Sequence, residues 1–294
     1  MSNLESVVKN PTVSVIMGVY NQLNNEALYK AVHSILNQSF SDFEFIIYDD
    51  GSNEEGSDYI NSLKDADERL SIISCKENNG LAFSLNECLK VARGKYIARM
   101  DADDVSLPDR FQAQVDYLEA HKDVSWCGCN AYLFDEEGIY GNRSMPAHPT
   151  VDDYLKYSPY IHPTVMYRKT VLDECEGYAV EKDTLLCEDY EIFMRLKSLG
   201  FYGANLQQPY FLYRENANSF KRRGLGRRIK ESKIRFRSFK RLGILFPKGI
   251  FYVMRPIIGF FVPTHAIRFI KRKEAVCVEK SITGLLTDVP KLTT

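Results

Sequence analysis

Three carboxylates crowd the stretch Tyr96-Ile-Ala-Arg-Met-Asp-Ala-Asp-Asp104, where a short apolar run leads straight into Asp101, Asp103 and Asp104. Carboxylates packed at the end of a buried strand repel one another, so each tends to keep its proton unless a cation neutralises the group. A solvated acidic loop is the plainer explanation. The sharper one is a divalent-cation site. Oxygen-only ligands suit hard Mg²⁺ or Mn²⁺, which keep several waters and bridge a protein carboxylate to substrate phosphates. A second acidic site stands at Glu188-Asp189, the start of a helical pattern. Acids there ordinarily serve the helix dipole, but one aimed into a cleft can act as general base toward a hydroxyl. With both of the sharper readings, the two sites would make a transferase, in which a cation would hold a diphosphate leaving group and the base would activate the attacking alcohol for in-line displacement with inversion.

The elements that must position these acids can be read in order. Val13 to Met17 is a short β-branched run opening into Gly18, Tyr20 and Asn21, a strand followed by a turn. Leu28, Ala31, Val32, Ile35 and Leu36 make one helical stripe. Phe43 to Tyr48 is a second strand, ending in Asp49-Asp50-Gly51-Ser52. A polar helix is expected near 54–65, a strand from Leu70 to Ser74, and a helix from Leu81 to Arg93 that Gly94 closes as a left-handed cap. Pro108 suits the first turn of a helix carrying Phe111, Val115 and Leu118. Val124 to Phe134 reads as a longer strand, Met145 to Pro163 as mostly loop, and Thr164 to Tyr167 as a strand. Glu188 to Leu199 reads as a helix stopped by Gly200. Strands alternating with helices imply parallel βαβ units, whose ligands bind beyond the carboxyl ends of the strands. Asp50 and Asp101 to Asp104 end two such strands, so both can face one cleft.

Charge divides the chain unevenly. The 294 residues carry a formal net charge of −1, yet residues 1–220 hold 35 acids against 19 bases, while Lys221 to Lys273 hold 17 bases and the single acid Glu231. In that basic stretch Ile229, Ile234, Phe236, Phe239, Leu242 and Ile244 are interleaved with Arg and Lys, which suits either a helical pair packed on the catalytic domain or, better, the surface of an anionic membrane. No nucleic-acid motif accompanies the charge. Phe251 to Val262 is apolar but broken by Arg255 and Pro256, too short to span a bilayer. The first residues show no basic-then-apolar signal-peptide pattern, and the seven cysteines show no CxxC spacing, so a cytoplasmic protein with reduced thiols is expected. There is no GxGxxG after a strand, no Walker A loop and no GxSxG, which speaks against dehydrogenase, kinase and hydrolase chemistry.

Pro11 to Asn21, Ser34 to Phe40, Asp49 to Ser52, Gly94 to Asp104 and Cys187-Glu-Asp189 come in the order seen in inverting family-2 glycosyltransferases, which the chain resembles over residues 11–220. Within the family it is most similar to bacterial enzymes of exopolysaccharide, capsule and biofilm-matrix assembly, echoed in Arg214-Glu-Asn216 and Phe220-Lys-Arg-Arg223. The resemblance implies an α/β GT-A fold, Rossmann-like with a mostly parallel sheet flanked by helices, over 1–220, and a basic helical C-terminal extension over 221–294. It implies that Tyr20 stacks on the nucleotide base, Asp50 hydrogen-bonds it, Asp101 and Asp104 line the nucleotide, Asp103 binds Mn²⁺ or Mg²⁺, and Asp189, beside Glu188, is the catalytic base. His162 would lie near the donor sugar. Many relatives carry a histidine two residues after a Tyr-Arg pair; here Tyr213-Arg214 is followed by Glu215 and Asn216, leaving Arg222 or Arg223 to neutralise phosphate. The implied donor is a UDP-sugar and the implied acceptor a saccharide or polyprenyl-linked glycan. The protein would work peripherally at the inner face of the plasma membrane, without nucleic acid. The alternatives are a nucleotidyltransferase, which would show a Gly-rich basic loop after its first strand, and a non-catalytic regulatory protein on the same fold.

Overall fold

The computed structural model describes residues 10–22, 25–182, 184, 187–215 and 224–260. A single nine-stranded sheet runs in the order β3-β2-β1-β4-β8-β6-β9-β5, with β7 paired to β6. Its first half is parallel. β1 (Val13–Val19) lies between β2 (Phe43–Asp50) and β4 (Tyr96–Arg99), and β3 (Leu70–Cys75) flanks β2. Beyond β4 the sheet is mixed: β8 (Met166–Arg168) runs antiparallel to both β4 and β6 (Trp126–Asp135). β9 (Gly203–Arg214) is parallel to β6, while β5 (Val105–Ser106) and β7 (Gly138–Arg143) pair antiparallel with β9 and β6.

Alternation along the strands feeds two cores. Val13, Val15, Met17, Phe45 and Ile47 pack with α1 (Asn25–Leu36) and α4 (Arg110–Ala120). Ile16, Ile46 and Tyr48 pack with α3 (Leu81–Val91) and α7 (Glu188–Ser198) on the other face. The expected stripe of α1 is buried throughout, at Leu28, Ala31, Val32, Ile35 and Leu36, each large side chain contributing roughly 1.5–3 kcal/mol by leaving water. The polar α2 spans Glu54–Ser62, and Gly200, at φ +91°, ends the chain's turn out of α7.

Several expectations are corrected. Gly94 is not a left-handed cap. α3 stops at Val91 with Ala92 extended, and Gly94 lies against β1, where an added Cβ would sit 2.4 Å from the Ser14 nitrogen. Pro108 precedes α4 in a turn closed by Arg110 N–H to the Leu107 carbonyl (3.1 Å). Within Met145 to Pro163 lies α5 (Val151–Lys156), opened by a capping box of Thr150 and Asp153. The strand expected at Thr164 to Tyr167 begins only at Met166, because His162–Thr164 forms a 3₁₀ turn. α6 (Lys169–Glu174) follows it. Pro256 does not break the last apolar run but sits inside a helix.

That helix is α9 (Ile250–Phe260), which follows α8 (Leu225–Arg241). Ile234, Phe239, Leu245 and Val253 from this pair are buried in the same cluster as Phe193 and Leu196 of α7. Among the described residues no helix is long and apolar enough to cross a membrane.

Candidate active site

β1, β2 and β4 run parallel and in register, Val19 beside Asp49 and Ile16 beside Arg99, so the segments leaving them meet along one edge of the sheet. Side-chain bonds tie those segments together. The Asn21 N–H donates to Ser52 Oγ (3.0 Å), the Asn53 N–H to Asn21 Oδ1 (2.8 Å), and Gln22 Nε2 to the Ala102 carbonyl (3.3 Å). Tyr20, Asp50 and Asp101 to Asp104 therefore share this edge, with Tyr20 half-exposed.

Asp50 is buried and accepts at both oxygens, from the N–H of Asn79 (3.0 Å) and of Gly80 (2.7 Å). Its first work is to fix the loop that opens α3. Its neighbour Asp49 takes the Ser52 N–H (3.0 Å) and the Ser57 hydroxyl, folding the turn at Gly51. Gly51 has φ +73°, and a Cβ there would meet the Glu77 backbone at 2.7 Å.

The acid loop is held from three sides. Asp101 ion-pairs with the buried guanidinium of Arg99. Arg214, at the end of β9, donates its N–H to Asp104 Oδ1 (2.7 Å) and its Nε to the Asp103 carbonyl (3.0 Å). The segment after the acids is pinned to α1 by the buried amide of Gln38, whose Nε2 donates to the carbonyls of Ser34 (3.0 Å) and Leu107 (2.8 Å) and whose Oε1 accepts the Phe111 N–H (3.1 Å). Beneath it Arg110 donates Nη2 to the Arg99 carbonyl (2.9 Å) and Nε to Gln114 Oε1 (3.0 Å); burial draws this guanidinium's pKa down to about 10. Sequence reasoning missed Arg99 and Arg110 as parts of the site. For Arg99 the available signal was a cation at the end of an otherwise apolar strand; Arg110 opens α4 and carried no such signal.

Burial, then the charge of Asp101, lifts Asp103 to about 6, and burial with Asp103 and Asp101 holds Asp104 well above the carboxylate range. Asp104 Oδ2 is buried without a hydrogen-bond partner. Such a group retains protons because burial and mutual repulsion outweigh the nearby charges of Arg99 and Arg214, a condition that a dication would relieve. Among the described residues no three or more His, Cys, Asp or Glu side chains converge as a ready-made metal cage. The donor set instead fits an ion that takes one or two carboxylates and completes its shell with water and substrate phosphate.

Asp189 lies in the first turn of α7. Burial raises its pKa, and the Tyr190 N–H and the charges of Arg227 and Arg99 oppose the rise. Glu188 is buried beside it. His162 is buried with Nε2 2.9 Å from the Tyr178 hydroxyl and its ring set edge-on to Phe193; burial and the Arg99 charge push its pKa well below the usual range, keeping it neutral. Arg99 is thus an electrostatic neighbour of Asp103, Asp104, His162 and Asp189. One buried cation joins the acid loop to the helix start. Glu215 accepts a hydrogen bond from the Tyr140 hydroxyl (3.2 Å). Arg222, Arg223 and Asn216 lie outside the described residues.

Comparison with known proteins gives a consistent picture. The family model described as Glycosyl transferase family 2 matches residues 14–180. A protein of Bacillus subtilis (strain 168) named as a glycosyltransferase, EpsE, is 35% identical over 276 residues, covering 90% of this chain and 97% of that one. The Escherichia coli protein WfaP, named UDP-Glc:alpha-D-GlcNAc-diphosphoundecaprenol beta-1,3-glucosyltransferase, is 30% identical over 225 residues, 76% of this chain and 84% of that one. Residues 1–349 of S. aureus TarS, crystallised with UDP, superpose with a TM-score of 0.63 at 16% identity over 95% of this chain and 78% of that one, a likeness of fold.

Proposed function

This chain belongs to glycosyl transferase family 2, and from that premise we propose that it is an inverting, divalent-cation-dependent enzyme that transfers a sugar from a UDP-sugar to a lipid-linked or saccharide acceptor in bacterial exopolysaccharide or capsule assembly. Family membership sets aside the nucleotidyltransferase alternative. The observation that carries the reading is the placement of Arg99, whose guanidinium pairs with Asp101 and is an electrostatic neighbour of both Asp103 and Asp189. This shared neighbour supports a reading in which leaving-group acids and base address one centre.

In this reading Tyr20, half-exposed at the end of β1, stacks on the base, and Asp50 meets it while bracing the loop at Asn79 and Gly80. Asp101 and Asp104 line the ribose and diphosphate. Asp103 holds Mn²⁺ or Mg²⁺, which when bound offsets the negative charge that develops on a departing nucleoside diphosphate. Asp189 takes the proton of the acceptor hydroxyl as that oxygen attacks the anomeric carbon from the face opposite the leaving group. A raised pKa makes it a stronger base than an exposed carboxylate. Glu188 supports the same helix start, and neutral His162 can hydrogen-bond a sugar hydroxyl without adding charge. Arg222 and Arg223 are proposed as phosphate contacts. Residues 1–220 would form the catalytic unit and 221–294 an extension through which the protein works peripherally at the inner face of the plasma membrane. The printed name of WfaP, with its UDP-linked donor and diphosphoundecaprenol-linked acceptor, supports that choice of substrates.

The test is a thermal-shift panel of nucleotide sugars with and without Mn²⁺, followed by determination of the product anomer. A UDP-sugar should stabilise the protein only with the cation. Absence of any nucleotide response, or retention of anomeric configuration, overturns the reading.

A further inference from the structure

The two C-terminal helices spend one side on the core and leave the other bare. Ile234, Phe239, Leu245 and Val253 are buried in the cluster that also holds Phe193 and Leu196 of α7, and Arg235 anchors the pair by donating to the Leu155 carbonyl (2.9 Å) while lying 4.7 Å over the Tyr190 ring. On the outward side Phe246, Phe251, Met254 and Ile258 are 72, 66, 45 and 54% exposed. Positions 251, 254 and 258 form one stripe of α9. On α8 the exposed stripe Ile229, Lys233, Phe236, Lys240 alternates apolar and cationic side chains at helical spacing. Residues 224–260 hold ten Lys and Arg against the single acid Glu231, which is itself engaged by Arg235 (3.0 Å). Large apolar side chains this exposed on a cationic ground mark a binding surface.

The chemistry of the occupant follows from that mixture. A protein partner would be met by a shaped pocket, whereas rings and ammonium groups alternating along exposed helix stripes suit a fluid anionic surface. Apolar tips enter the acyl boundary and the long cationic side chains reach back to the headgroups. α9, with 11 residues, is too short to cross a bilayer, and Arg255 holds it along the body by donating to the Lys156 carbonyl (3.1 Å).

We propose that the outward face of α8 and α9 docks on a bilayer leaflet bearing anionic headgroups, with Phe246, Phe251, Met254 and Ile258 inserted and Lys240, Arg241 and Lys248 at the headgroup level. This deepens the transferase reading and rests on its membrane-borne acceptor. α8 also carries Arg227, whose charge reaches Asp189, and its 17 residues span about 25 Å. One helix thus links the proposed base to the docking face.

Flotation of the full-length protein with phosphatidylcholine vesicles, alone or mixed with phosphatidylglycerol, tests the proposal. Binding should need phosphatidylglycerol and weaken with salt. Lys240→Glu with Arg241→Glu should lower partitioning by more than tenfold, since each cation near such a surface is worth roughly a fivefold gain. Phe251→Ser with Ile258→Ser, both at exposed positions, should weaken it at low and high salt. The docking surface is refuted if the wild-type chain does not float with anionic vesicles, or if the serine pair floats like wild type. It is equally refuted if light scattering shows a wild-type dimer that the serine pair dissociates, because a second copy then covers the face. Manganese-dependent nucleotide stabilisation, measured on the same preparations, separates the two readings. Lost flotation with intact nucleotide binding removes only the membrane surface, and absent nucleotide binding in a chain that floats removes only the donor assignment.

Discussion

Replacing Asp103 with Asn should stabilise the metal-free protein at neutral pH while ending its response to manganese. Burial and then the charge of Asp101 hold the Asp103 carboxyl at about 6 instead of its ordinary 3.8. A group whose folded pKa exceeds its unfolded one binds protons more tightly when folded, so stability falls as pH rises from about 4 to about 6 and stays low above that window. A rise of that size corresponds to roughly 3 kcal/mol at pH 7. The side chain is partly open to water and shares its proton affinity with Asp104, so about 2 kcal/mol is the expected gain for Asn. At 2–4 °C per kcal/mol for a domain of this order, the unfolding midpoint should rise by about 4–8 °C at pH 7.5 in a chelator and by nothing near pH 4. Added Mn²⁺ and UDP should then raise wild type and leave the variant unmoved. Equal midpoints in chelator at pH 7.5, a gain that persists unchanged at pH 4, or a variant that still responds to Mn²⁺ would refute the reasoning.

Other perturbations separate binding, chemistry and scaffold. Asp189→Asn should keep donor affinity, read by calorimetry, while lowering kcat by at least about 10²-fold. In wild type, kcat/KM should fall as pH drops through a limb above the ordinary carboxylate value, because the base acts only when deprotonated and burial raises its pKa. Asp50→Ala removes acceptors from two backbone N–H groups and should cost about 2–4 kcal/mol in urea unfolding, with Asn recovering part of it. Gly51→Ala sets a Cβ against the Glu77 backbone at a left-handed residue and should cost more than about 2 kcal/mol; a midpoint within 1 °C of wild type would contradict it.

Much of the parallel half, and α7 beyond it, was legible because the signals are local. The α1 stripe, the β-branched runs of β1 and β2, and the acid-rich start and Gly200 stop of α7 each repeat at the period of their element. β9 escaped notice because Gln207 and Gln208 break its alternation where the register with β6 shifts. α5 is only six residues long, although Thr150 and Asp153 carried its start signal. Gly94 was read as a helix cap because its cause, the close approach of Ser14, comes from eighty residues away. At the site the acids were visible as composition and order. Arg99 and Arg110 were not, since a cation earns its burial only from partners that the fold supplies, here Asp101, Gln114 and a strand carbonyl.

Gln38 bears on how stiff the acid loop is. By gripping the end of α1, the Leu107 carbonyl and the start of α4 with one side-chain amide, it welds the stretch just past Asp104 to the frame before any ligand arrives. The anionic wall is therefore a fixed anvil. Variants that loosen Gln38 should free the acid loop itself, seen as faster amide exchange just past Asp104, while the β1–β2 pairing stays protected.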